Sequence, residues 1–164
     1  TLRGKGEPLA KIELSASGGV VGETFADSLG DWSLRPAVAL PEGAQVLAYA
    51  ATDAAGNVGP AATQSIRIDV TAPARPTIVA PGDLRTLTPL LRGTAEAGSA
   101  LSLAVGSTVI GSGVALADGT WSVTVVSGLV EGEQSATAVA VDAAGNRSQH
   151  CYSNYSSRTP NIYW

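Results

Sequence analysis

The sequence predicts an all-β chain folded as two tandem β-sandwich domains, and three observations predict it. Residues 2–57 return without a gap as residues 91–146, an offset of 89, with 21 of the 56 paired positions identical. Strand-like stretches recur about every 8–12 residues with no helical period between them. Glycine-bearing turns separate those stretches. A period of this length exceeds the roughly 20–50 residues of a solenoid unit and suits a small domain with its own core. Arrays of near-identical domains serve length, stiffness and display more often than chemistry, which argues against an enzyme.

The elements follow in order. Leu2-Arg3-Gly4 opens the first domain and returns as Leu91-Arg92-Gly93. Lys11-Ile12-Glu13-Leu14-Ser15, Ser65–Val70 and Trp121-Ser122-Val123-Thr124-Val125 alternate polar and apolar residues, the period of a half-buried strand. Turns are marked at Ser17-Gly18-Gly19, Leu29-Gly30-Asp31 and Ala97-Gly98-Ser99, with Asp118-Gly119 the strongest hairpin signal. The two prolines of Thr71–Pro76 remove N–H donors and fix φ, so this segment reads as a short, semi-rigid connector. Thr77-Ile78-Val79 then opens the second domain, which runs through residues 87–95, 100–105, 109–116, 121–126 and 135–142. Six strands and an expected seventh make a sandwich of the immunoglobulin type without the cysteine pair of antibody domains. The expected organisation is therefore residues 1–72, lacking a first strand; residues 73–148, whose last strand is not marked; and a tail, residues 149–164. The tail holds the only His, the only Cys and three of the four Tyr, and reads as a foreign or frame-shifted end.

Composition bounds the rest. Domains of this size bury only some 60–65% of the surface their unfolded chains expose, so each is marginal alone. Apolar residues reach 45% but aromatics only 5%, and there is no Met, which suits thin sandwiches better than a deep ligand pocket. Fourteen acidic against ten basic residues leave a net charge of −4 with no basic run, which excludes nucleic acid as a natural partner. With Cys151 alone there is no intrachain disulfide and no cysteine-based zinc site. No stretch approaches 18 apolar residues and no signal peptide precedes Thr1, so the chain is expected to be a soluble, non-membrane-spanning piece of something longer. One His cannot build a catalytic triad or a His-rich metal centre.

Four phrases, Arg92–Ser99, Ala117–Val123, Ala140–Asn146 and Ile68–Pro73, occur in fixed order and together resemble the bacterial Ig-like repeats of giant secreted adhesins. The resemblance spans residues 2–147. It implies a stalk segment of a cell-surface or biofilm adhesin, exported by a type I system and located outside the cell. Its partners would be neighbouring repeats of the same chain, with host or surface glycans and proteins met through other domains. Many such repeats bind Ca²⁺ near domain junctions. The alternative function is an accessory carbohydrate-binding or spacer module of a secreted polysaccharide-active enzyme, which would need exposed aromatics.

Strand directions in such a sandwich put the Asp142–Asn146 loop, the turn at Glu96 and the turn at Asp118 at one pole, facing the preceding domain and its Asp69. Asp69, Glu96, Asp118 and Asp142, completed by Asn146 or backbone carbonyls, would supply the roughly 6–8 oxygens of a calcium shell. The competing reading is that Asp142 and Asn146 only shape a turn. Glu7, Asp53 and Asn57 are the equivalent residues of the first domain, where any site is expected to be empty or weak. Trp32 and Trp121 open the same strand in both domains and are expected in the core.

Overall fold

The computed structural model describes residues 1–79, 83–84, 86–126 and 129–157. Every regular element among them is a strand. Contacts divide the chain into unit 1, Thr1–Asp69, and unit 2, Val70–Trp164, so the proline segment belongs to unit 2. Pro76 there is fully buried, and Arg75 donates a 2.6 Å hydrogen bond to Gln149.

Unit 1 contains β1 (Leu2–Lys5), β2 (Lys11–Ala16), β3 (Gly19–Phe25), β4 (Asp31–Leu34), β5 (Gly43–Thr52) and β6 (Ala62–Ile68). β1 and β4 form one sheet; β3-β2-β5-β6 form the other. Strand alternation sends Ile12, Leu14, Trp32, Leu34 and Leu47 into a shared core, with Tyr49 and Ile66 packed against it. Burying a leucine as completely as Leu14 or Leu47 stabilises by about 1.5–3 kcal/mol relative to exposure.

Unit 2 contains β7 (Asp83–Leu84), β8 (Leu90–Thr94), β9 (Ala100–Val105), β10 (Thr108–Val114), β11 (Thr120–Thr124), β12 (Gly132–Val141) and β13 (Cys151–Ser157). Its small sheet pairs β11 with β8, and Thr77 and Val79 bond the free edge of β8 at Thr94 and Arg92. Its large sheet runs β10-β9-β12-β13-β7. A Cβ on Gly93 would collide with the Thr77 carbonyl oxygen and the Trp121 ring, so this position of β8 has room only for glycine.

Two expectations are corrected. Asp118-Gly119 does turn the chain, but β10 and β11 lie in different sheets, so the turn is a corner and not a hairpin. A dipeptide signal reports local backbone preference and cannot say whether its flanking strands pair. The start of the tail is also no appendage, because Cys151–Ser157 is the strand beside β12 and buries Tyr155 in the core. Residues 158–164 lie outside the described residues.

The offset of 89 carries most of the backbone of unit 1 onto unit 2. Adding it to the β5–β6 register, Gly43↔Ile68 through Tyr49↔Ala62, gives the β12–β13 register, Gly132↔Ser157 through Ala138↔Cys151. It also carries the bulge at Val21 onto the bulge at Ile110. Left-handed Gly30, Gly43 and Gly56 map onto Gly119, Gly132 and Gly145; Leu9, at φ 64°, maps onto Gly98 at φ 80°.

Candidate functional site

The turns carrying Glu96, Asp118 and Asp142 share one end of unit 2. Ala100 pairs with both Val114 and Val141, and Thr94 pairs with Thr120, which brings the three connections together. The chain also enters unit 2 at this end, because the Thr77 N–H donates to the Thr94 carbonyl at 2.8 Å. Asp69 is the last residue of unit 1.

Two of the acidic side chains at this end, Asp118 and Asp142, are held by their own loops. Asp142 Oδ1 accepts from the N–H groups of Ala144 (2.8 Å) and Asn146 (2.9 Å), while Oδ2 accepts from Asn146 Nδ2 at 2.9 Å. Asp53 repeats the arrangement with Ala55 and Asn57 at 2.7–2.8 Å. The side-chain amides of Asn146 and Asn57 are the first cause that holds the two carboxyls below the ordinary range, with the loop N–H groups adding to it. Asp118 is lowered by the Thr120 N–H and hydroxyl, both bonded to its Oδ1. Each carboxylate thus closes a turn. Among the described residues, no three His, Cys, Asp or Glu side chains gather in a way that holds a metal ion.

The two Trp rings bear on the functions weighed on sequence. Trp32 is 8% exposed and Trp121 2%, so neither offers a sugar-stacking platform. A surface that the sequence did not mark stands elsewhere on unit 2. The outward face of β9, β12 and β13 forms an open trough of about 530 Å³ with Tyr152 and His150 at its side. Its one legible signal was the cluster of His and Tyr in the tail, which the departure of that segment from the repeat pattern obscured.

Two tandem sandwiches, each with a small sheet beside a larger one, define an immunoglobulin-type repeat pair. A family model described as bacterial Ig domain matches residues 1–67 and again residues 72–155, and the chain belongs to that family. Among solved structures it is similar to the fibronectin(III)-like modules of Clostridium thermocellum CbhA, at 16% identity and a TM-score of 0.54, over 96% of this chain and 83% of that one. A biofilm-associated protein BSP domain matches at 19% identity and a TM-score of 0.43, over 98% of this chain and 27% of that one. A tetra-tandem repeat from the extending region of a large adhesion protein matches at 22% and 0.41, over 90% and 42%. No curated protein matches the sequence significantly.

Proposed function

We propose that the chain is a stalk segment of a bacterial cell-surface or biofilm adhesin, in which each unit serves as a spacer with a mechanical role. The observation that carries this reading is the register of 89 residues, which repeats strands, bulge and left-handed positions while most side chains change. A backbone kept while its surface varies is what a length-giving module needs, and both buried Trp rings favour a spacer over a sugar-binding platform. Antibodies raised against the chain should label intact, unpermeabilised cells that produce it. Labelling that appears only after lysis overturns the reading.

Calcium belongs to this proposal as a stiffener at the end of unit 2 that holds Glu96, Asp118, Asp142 and Asn146, with Asp69 contributed by the preceding unit. A cation bound to the folded state alone raises stability by about 2.7 kcal/mol at a hundred times Kd. Millimolar calcium should raise the melting temperature relative to excess chelator, and Asp142→Asn should reduce that rise more than Asp53→Asn. Superposed melting curves leave both loops as plain turns.

A further inference from the structure

Alternation along the large sheet of unit 2 sends Leu101, Leu103, Ala136, Ala138 and Tyr155 inward and leaves the other face to solvent. Small residues of β9 and β12, among them Ser102, Ser135 and Thr137, form the floor of the trough, and Arg147, His150 and Tyr152 line it as well. The His150 ring stacks on Tyr152 with centroids 6.2 Å apart and planes inclined by 24°. Tyr152 is 68% exposed, so the pair presents an aromatic plane to water. Among the described residues no carboxylate lines the trough, although acids outnumber bases fourteen to ten in the chain.

Unit 1 provides the control for this face. Subtracting 89 replaces Ser102 by Glu13, Ser135 by Val46, Thr137 by Ala48, Arg147 by Val58, His150 by Ala61 and Tyr152 by Thr63. On the same backbone, unit 2 has lost an acid and gained a guanidinium and two rings. None of these changes serves the core, which lies on the other side of the sheet. Exposed aromatics beside a cation and hydroxyls in a concave surface are the marks of a binding site.

We propose that this trough binds a carboxylate-bearing saccharide, with a sugar ring lying on Tyr152, its carboxylate at Arg147 and its hydroxyls toward Ser102 and Ser135. The volume falls in the range of about 300–1,000 Å³ found for small-ligand sites, although the open shape points to weak affinity, a Kd of about 1 mM. Stalk units that hold acidic polysaccharide would tie the array to its surroundings along its length. The site does not depend on the stalk reading, which cell-surface labelling tests separately.

The test is a titration of the full chain, followed by amide NMR, with tetragalacturonate, sialyllactose and cellotetraose. Shifts at Thr137, Arg147 and Tyr152 with an acidic sugar, and none on the Glu13 face of unit 1, are expected. The two acidic ligands distinguish a matrix uronate from a host sialoside as the source. The combined change Arg147→Val, His150→Ala and Tyr152→Thr installs residues that the unit 1 backbone already accepts and should abolish binding. Arg147→Val alone should weaken it about tenfold or more, as expected for a lost charge-assisted hydrogen bond. Ser102→Glu, a single surface change, gives a second variant whose loss of binding does not depend on the combined variant folding. Absence of shifts with both acidic sugars at 10 times the expected Kd of about 1 mM, equal binding of cellotetraose, or binding retained by Ser102→Glu overturns the proposal.

Discussion

Where unit 1 holds Leu47, Tyr49 and Ile66, unit 2 holds Ala136, Ala138 and Tyr155 at the same registers. The bulk that unit 1 places on its long strand β5 is moved in unit 2 to the neighbouring β13. Trp32 packs its ring at 5.9 Å from Tyr49, whereas Trp121 meets an alanine-lined β12 in the core that Tyr155 joins. The two cores place their bulk on different strands, as expected where packing density is fixed and residue identity is free. The edges differ as well. β1 pairs with β4 alone and leaves a small cavity of about 80 Å³ among residues that include Leu2, Trp32 and Tyr49, whereas β8 is covered by Thr77–Val79.

Removing the shared anchor should give the largest effect. Trp121→Ala is expected to cost about 3–5 kcal/mol, with Trp32→Ala at the lower end because its ring already borders a cavity. Urea denaturation read by hydrogen exchange should show loss of protection confined to the unit that carries the change, and equal loss in both units would break the comparison. Exchanged core volume comes next. Tyr155→Ile, the residue of unit 1, should destabilise by about 2–3 kcal/mol because Ala136 and Ala138 cannot fill the space. Adding Ala138→Tyr should recover about 1 kcal/mol, and strict additivity in that double-mutant cycle would refute the traded volume.

A smaller effect is expected where the backbones agree and the residues do not. Leu9 occupies the left-handed region where unit 2 has Gly98, and such a conformation costs a bulky residue about 1–2 kcal/mol. Leu9→Gly should therefore stabilise by about 0.5–1 kcal/mol after the entropy glycine forfeits, and Gly98→Leu should do the reverse in thermal melts. The two Asp loops should differ least. Both carboxyls titrate below the ordinary value near 3.9, so their contribution is complete above it and drains as pH falls through the folded-state value. Asp53→Asn and Asp142→Asn should each flatten the loss of stability between about pH 4 and pH 2, and an unchanged acid profile would show that the loops carry no linkage.

Much of this was legible in the sequence. β9 spans the expected residues 100–105, the Trp rings are core anchors, and the turns at Ser17-Gly18 and Ala97-Gly98 stand where glycine marked them. β7 has two residues, too few for any period to register. β13 was hidden for a different reason, since its outward positions carry the trough chemistry while only Tyr155 keeps the apolar role of Ile66. Extending the offset past the last identical residue would have found it. The calcium reading rested on chain direction, which the pole of unit 2 follows, but spacing could not show that the Asp118 and Asp142 carboxylates bond N–H groups of their own turns.

The parallel contact of β7 with β13, Ser156↔Asp83 and Ser157↔Leu84, has a mechanical consequence. In the stalk proposed above, force would enter unit 2 ahead of β7 and leave after β13, so the strands would be drawn past one another and their hydrogen bonds loaded in shear, all at once. Strands peeled from one end yield bond by bond. Rupture under load is governed by the rate of unfolding and not by equilibrium stability, so a latch of two residues can set the force a unit bears without adding much to its melting temperature. In unit 1, β6 lies at the edge of its sheet with β5 as its only strand partner among the described residues.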